Sequence, residues 1–240
     1  MKMNKSNYKL ILDSSTKETL IGISQDSNLI SKKSWVSNNN ESRTLLPNIK
    51  SIIETSNIEF DNISEINIVI GPGGFSSLRI GLSVAKSMSI VKGIKIIPIP
   101  SLMISAWEYI NNVKNIISII KCSKTTYYLK DYTDLSTDEI TDETEYNKFE
   151  VVDITKIKKY FENGYSVTSY DKAIFEDEVL NSKVLKTKSK INSIIEIGDL
   201  IKQKYTSLKT TSINPIYANS GQIESALKLK QKGVKNWKKH

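Results

Sequence analysis

The stretch Gly71-Pro72-Gly73-Gly74-Phe75-Ser76-Ser77-Leu78-Arg79-Ile80-Gly81 constrains this chain more than any other, because the apolar run Ile66 to Ile70 enters it and a helical pattern leaves it. It reads as a strand, a glycine turn and a helix. Pro72 lacks a backbone donor and stops the strand, while Gly71, Gly73 and Gly74 open backbone angles closed to other residues. Ser76 or Ser77 is expected to cap the helix, which runs to about Val91 and stops at Gly93. Tight packing of strand against helix is the purpose such a turn suggests.

Within that helix Ser77, Gly81, Ala85 and Ser89 recur every fourth position, a seam of small side chains that admits another backbone at close range. Leu78, Ile80, Leu82, Val84, Met88 and Val91 surround the seam with bulk. A helix that is apolar on more than one side needs either a further layer of its own domain or a partner protein, and the pattern leaves both open.

The rest of the first hundred residues is regular. Tyr8 to Leu12 reads as a strand, Asp13-Ser14-Ser15-Thr16 as a polar turn, Thr19 to Ser24 as the hairpin partner and Leu29 to Val36 as a third strand. Leu45, Leu46, Ile49, Ile52 and Ile53 fall at helical spacing within Ser42 to Thr55, ahead of the strand Ile66 to Ile70. Leu10, Leu12, Ile21, Ile68 and Ile70 are the expected sheet core. Further on, Ile94 to Ile99 is a strand and Ser101 is expected to cap a helix through about Asn111. Asn115 to Lys121 and Thr125 to Tyr132 form another hairpin, and 131–150 reads as an acidic exposed loop. A strand at Phe149 to Ile154, a short helix around Ile157, a polar link, a long amphipathic helix from Ile191 to Tyr205 and an extended Asn214 to Ala218 complete the map. With 240 residues the chain can build one large domain or two small lobes.

Several chemistries are excluded by residue supply. The only histidine is His240, so Ser/His and Cys/His nucleophile systems and His-based metal sites lack material. Cys122 is the single cysteine, which cannot form an internal disulfide and reads as a small buried hydrophobe. Asp131, Asp134, Asp138 and Asp142 match no calcium-loop spacing. The turn at Gly71 lacks the Lys-Ser/Thr ending of a P-loop and the third glycine of a dinucleotide fingerprint. No catalytic residue, metal or cofactor is therefore assigned. The net charge of +8 allows attraction to a polyanion, although lysine is abundant throughout. Its one cluster is Lys228, Lys230, Lys232, Lys235, Lys238 and Lys239 with Trp237 among them. No apolar run is long enough to span a membrane, and the basic Met1 to Lys5 leads into a strand-like alternation rather than a signal peptide, so a cytoplasmic protein without membrane contact is expected.

Ile70 to Lys86 resembles the signature GPGSFTGLRIGLATAKG of the bacterial TsaB (YeaZ) family, which helps make threonylcarbamoyladenosine in tRNA. In the right order, Leu10-Ile11-Leu12-Asp13-Ser14-Ser15-Thr16 resembles the opening LAIDTST, Leu45-Leu46-Pro47 the motif LLP, and Asn214-Pro215-Ile216-Tyr217 the closing PlYlR. Pro98 to Leu102 is similar to the strand-to-helix motif before the second lobe. The chain departs from the family at Lys121-Cys122-Ser123, at Ala218-Asn219 and at Glu41, where many members have His.

The resemblance implies an α/β, two-lobe actin-like ATPase (ribonuclease H-like) fold without a complete nucleotide site. Residues 1–99 form the first lobe, 100–220 a divergent second lobe whose last helix can pack back on the first, and 221–240 a basic tail. Asp13, Ser14 and Ser15 mark a vestigial nucleotide site, and Gly71, Pro72, Gly73 and Gly74 the structural turn. The paired histidines that bind metal in TsaD, the catalytic paralogue, are absent. The implied role is a non-catalytic scaffold that binds a TsaD-like transferase, with a TsaE-like ATPase as third component, tRNA reached through the complex and a homodimer when alone. Its interface is expected on Leu45, Leu46, Ile49, Ile53, Ser77, Arg79, Gly81, Ala85 and Ser89. Two alternatives stay open: an ATP-dependent small-molecule kinase of the actin-like superfamily, and a basic RNA-binding module.

Overall fold

A computed structural model describes residues 8–37, 40–171, 173–204 and 213–218. The basic tail, with Lys228 to Lys239 and Trp237, lies outside the described residues. Of the described residues, those up to Ser101 together with Ser189–Pro215 form one compact unit, and Leu102–Lys188 with the residues from Ile216 form another.

The first unit is built on β1 (Tyr8–Asp13), β2 (Glu18–Gln25), β3 (Asn28–Val36), β4 (Ile63–Gly71) and β5 (Lys95–Pro100), in the order β3-β2-β1-β4-β5. The first three strands form an antiparallel meander, whereas β4 and β5 run parallel to β1. Parallel neighbours require crossovers, and α1 (Glu41–Thr55) and α2 (Phe75–Lys92) supply them, packed side by side on the sheet. A last helix, α7 (Lys190–Lys204), packs on β5, β4, β1 and β2.

Strand alternation divides the sheet into two faces of different chemistry. Leu10, Leu12, Ile66, Ile68 and Ile70 point to the α2 side and are buried, as is Ile21. On the other face Lys9 and Asp13 of β1 and Glu65 of β4 meet Asp199, Lys190 and Lys202 of α7 in three ion pairs. Burying these charges costs solvation that only close pairing offsets. Helix α7 is thus held by charge as well as by Ile191, Ile194, Ile195 and Ile201, all buried.

The glycine turn departs from expectation at the cap. Gly74 is the N-cap of α2 and has no side chain to cap with, while Ser76 and Ser77 lie inside the first turn and the Ser77 hydroxyl donates to Glu41. The helix ends where the sequence places its stop, at Gly93 with φ 68° and its N–H on the Ser89 carbonyl at 2.7 Å.

The second unit repeats the first. Its strands β6 (Ile116–Lys121), β7 (Thr126–Asp131), β8 (Glu150–Asp153), β9 (Ser166–Ser169) and β10 (Leu185–Lys186) take the order β10-β9-β6-β7-β8, with an antiparallel meander followed by parallel neighbours. Helices α4 (Thr137–Ile140), α5 (Ile154–Glu162) and α6 (Glu178–Ser182) connect them.

Four expectations need correction here, and the first is Cys122, which is exposed rather than buried. The helix α3 (Ser101–Ala106) stops five residues before Asn111, and the Ser101 hydroxyl donates to the Pro72 carbonyl at 2.6 Å rather than capping. The acidic stretch 131–150 is not an exposed loop: Tyr132, Ile140, Thr141 and Tyr146 are buried, and a capping box joins Ser136 to Glu139. Ser136-x-x-Glu139 is a helix-start pattern that the charge count concealed. The polar link holds β9, whose Thr168 and Ser169 are fully buried, with the Thr168 hydroxyl on the Ile117 carbonyl at 3.1 Å. A strand buried through hydroxyls carries no apolar alternation to read.

Candidate functional site

The hairpin Asp13-Ser14-Ser15 and the turn Gly71 to Gly74 lock together. Asp13 is fully buried at the end of β1. One of its carboxylate oxygens accepts from the Ser15 N–H at 2.8 Å, and the other pairs with Lys190 Nζ at 2.6 Å. The Ser14 hydroxyl donates to the Ser77 carbonyl at 2.8 Å, and the Gly74 N–H donates to the Ser15 carbonyl at 2.8 Å. Gly71 has φ 107°, in the region that favours glycine, and the Gly71–Pro72 bond is cis. A side chain on Gly73 would run into the Ser15 carbonyl.

This junction does not fit a magnesium nucleotide. A cation needs a free carboxylate oxygen, and both oxygens of Asp13 are engaged, the outer one by an ammonium group of the chain itself. A phosphate needs backbone N–H groups left open, and the Gly74 N–H is spent on Ser15. No group of three or more His, Cys, Asp or Glu that could hold a metal exists among the described residues.

The expected partner face is largely turned inward. Leu45, Ile49 and Ile53 of α1 are buried, and so are Gly81, Ala85 and Ser89 of α2. A Cβ on Gly81 would collide with the Ser14 hydroxyl and lie 3.1 Å from Leu12 Cδ2, so the small-residue seam lets α2 settle on its own sheet and hairpin. Of the nine residues, Leu46 and Arg79 are exposed and Ser77 is half-buried. The outward apolar side chains are instead Leu46, Phe75, Ile90 and Val91, 54, 52, 76 and 75% exposed. The Arg79 guanidinium lies 3.8 Å from the Phe75 ring centroid. Sequence reasoning passed over Phe75 and Ile90 because periodicity marks an apolar position without saying which way it faces.

Glu41 opens α1 and ties the two helices together. It is 3% exposed, and its carboxylate accepts from the Ser77 hydroxyl at 2.6 Å. Burial pushes this carboxyl up, but hydrogen bonds from Ser77, its own backbone and Ser37 together outweigh burial and hold it below the ordinary value of 4.5. A depressed folded pKa stabilises the fold above the unfolded pKa, and that stability is lost as pH falls through the folded one. Ser77→Ala is therefore expected to cost about 1 to 3 kcal/mol at neutral pH. The loss should shrink as pH drops below the carboxylate range. Urea midpoints of both proteins at neutral and acid pH check this, and a gap that does not change with pH contradicts it.

Two sheets of one topology, each a three-strand meander extended by parallel strands, define a two-lobe α/β protein of the actin-like, ribonuclease H-like class. The family model described as "TsaD: tRNA N6-adenosine threonylcarbamoyltransferase" matches residues 35–218. A curated protein named tRNA threonylcarbamoyladenosine biosynthesis protein TsaB, from Buchnera aphidicola of Acyrthosiphon pisum, is 35% identical over 91 residues, 37% of this chain and 41% of the relative. Its namesake from Buchnera aphidicola of Baizongia pistaciae is 32% identical over 98 residues, 40% of this chain and 44% of the relative. The matched stretch thus spans less than half the length of these curated relatives. YeaZ from Pseudomonas aeruginosa superimposes with a TM-score of 0.62 at 13% identity, covering 88% of this chain and 100% of that one, a likeness of fold. The chain belongs to this threonylcarbamoyltransferase family and, within it, to the TsaB/YeaZ group.

Proposed function

We propose that the chain is a non-catalytic scaffold and activator in forming threonylcarbamoyladenosine next to the anticodon, in tRNAs that read codons beginning with adenosine. The observation that carries this reading is the outer face of α1 and α2, where Leu46, Phe75, Ile90 and Val91 stand exposed in a chain whose relatives are named for that pathway. Apolar side chains left in water on two adjacent helices favour burial against a partner. The partner is a TsaD-like transferase, joined by a TsaE-like ATPase, with tRNA engaged through the complex in the cytoplasm. In the partner's absence the same face joins two copies of this chain, so the two assemblies exclude each other. The engaged carboxylate of Asp13 supports a non-catalytic role and speaks against the kinase alternative. No helix among the described residues is long and apolar enough to cross a membrane.

The test is co-purification with a TsaD-like subunit, followed by a titration of variants. Leu46→Asp and Phe75→Asp lie on the surface and should stay folded by circular dichroism while weakening the complex by at least about tenfold. Folded variants that bind as tightly as the parent place the interface elsewhere. Magnesium-dependent ATP turnover by the isolated chain, lost in Asp13→Ala, would revive the kinase reading.

A further inference from the structure

The second unit carries a cleft that the partner reading leaves unused. It opens beside the β6–β7 turn with a volume of about 230 Å³. Its floor is apolar: the Tyr127 and Phe175 rings meet edge to face at 5.4 Å between centroids, with Ile154 and Leu180 beside them. Lys121 at the end of β6, Lys124 from the turn and Lys158 from α5 line it and are exposed.

The lysines of this cleft differ from those that the fold uses in ion pairs. Lys9, Lys92, Lys130, Lys156, Lys190 and Lys202 each pair with a carboxylate. Among the described residues Lys121, Lys124 and Lys158 pair with none. The contrast holds within α5 itself, where Lys156 is bound to Glu150. Three ammonium groups against two carboxylates, Glu176 and Asp177, leave the cleft net positive, which attracts an anion. Of the two carboxylates lining the cleft, Asp177 is committed as the N-cap of α6, accepting from the Leu180 N–H at 2.9 Å. Glu176 pairs with no lysine among the described residues and remains an acceptor. Tyr127 is 5% exposed and makes no hydrogen bond through its hydroxyl among the described residues. Burial, then the charge of Glu176, raises its pKa, so at neutral pH it is a protonated donor.

We propose that this cleft binds one nucleotide unit, with the base on the Tyr127 and Phe175 floor, the phosphate among Lys121, Lys124 and Lys158, and an exocyclic amino group donating to Glu176. An apolar ligand would leave the lysines uncompensated, whereas a nucleotide brings a phosphate to the lysines and a flat base to the apolar floor. The unit has two sources, a free nucleotide or a residue within RNA, and both present the same groups. The inference concerns this chain alone and stands apart from the partner interface.

The experiment titrates the isolated full chain with AMP at low salt, follows binding by calorimetry, and repeats the titration with UMP and with unmodified tRNA. AMP should bind saturably, and UMP more weakly because it lacks the amino group. Lys124→Gln with Lys158→Gln should weaken AMP about tenfold or more. Lys32→Gln with Lys33→Gln on β3, a matched loss of surface charge, should leave AMP binding within about twofold of the parent. Tyr127→Phe, which keeps the packing, provides a second variant and should also weaken AMP. Loss of tRNA affinity in the cleft variants assigns the unit to RNA, and unchanged tRNA affinity with lost AMP binding assigns a free nucleotide. Absence of saturable binding by AMP and tRNA alike, or equal weakening by the β3 pair, overturns the proposal.

Discussion

Ala85→Glu is expected to unfold the first unit rather than to release a partner from a folded chain. Ala85 is fully buried in the seam that α2 lays on its own sheet, one turn beyond Gly81, where no room exists even for a Cβ. A glutamate there has no cation to meet and no path to water, and an uncompensated buried charge costs about 3 to 5 kcal/mol before the added volume is counted. That is a large part of the stability of a domain of this size. Circular dichroism during thermal unfolding reads the result directly. A folded Ala85→Glu chain with unchanged melting that has lost only its partner would return the seam to the outer surface.

Lys190→Met should be nearly as damaging, and its repair is the more telling measurement. The substitution keeps most of the packing volume but strands the Asp13 carboxylate, which is 0% exposed and keeps only the Ser15 N–H. Breaking one side of a buried pair costs about 3 to 5 kcal/mol, whereas replacing both sides is far cheaper. Asp13→Asn combined with Lys190→Met is therefore expected to recover most of the loss in urea midpoint. If the double variant is as unstable as the sum of the single ones, the two residues are not coupled and α7 is held by its isoleucines alone.

These two results bear on function through the same geometry. Helix α7 brings Lys190 to Asp13, the buried carboxylate at the end of β1. The glycine turn closes over Ser15 instead of over a phosphate. Asp13 and the glycine turn thus serve the cohesion of the first unit.

How much of this was legible in the sequence differs between the two units. In the first, strands and helices alternate through long isoleucine runs, and the turn chemistry at Gly71 and Gly93 marks their ends, so element order follows and boundaries agree within a residue or two, except that β4 begins at Ile63, three residues before the expected Ile66. In the second, Thr168 and Ser169 are buried through hydroxyl groups and Ile140 is buried inside an acidic stretch, so neither periodicity nor charge shows where the backbone turns inward.

The sequence by itself determined the α/β meander-and-crossover order of the first unit, the place of its glycine turn, the lack of histidine-based chemistry and the family resemblance. These depend on local spacing and on which residue types are present at all. Only the tertiary structure decided which side of α2 is inside, that Asp13 belongs to Lys190, and that Lys121, Lys124 and Lys158 share one cleft. Periodicity counts apolar faces without orienting them, and an ion pair between residues far apart in the chain leaves no mark on either neighbourhood, because its energy exists only once the sheet and helix have met.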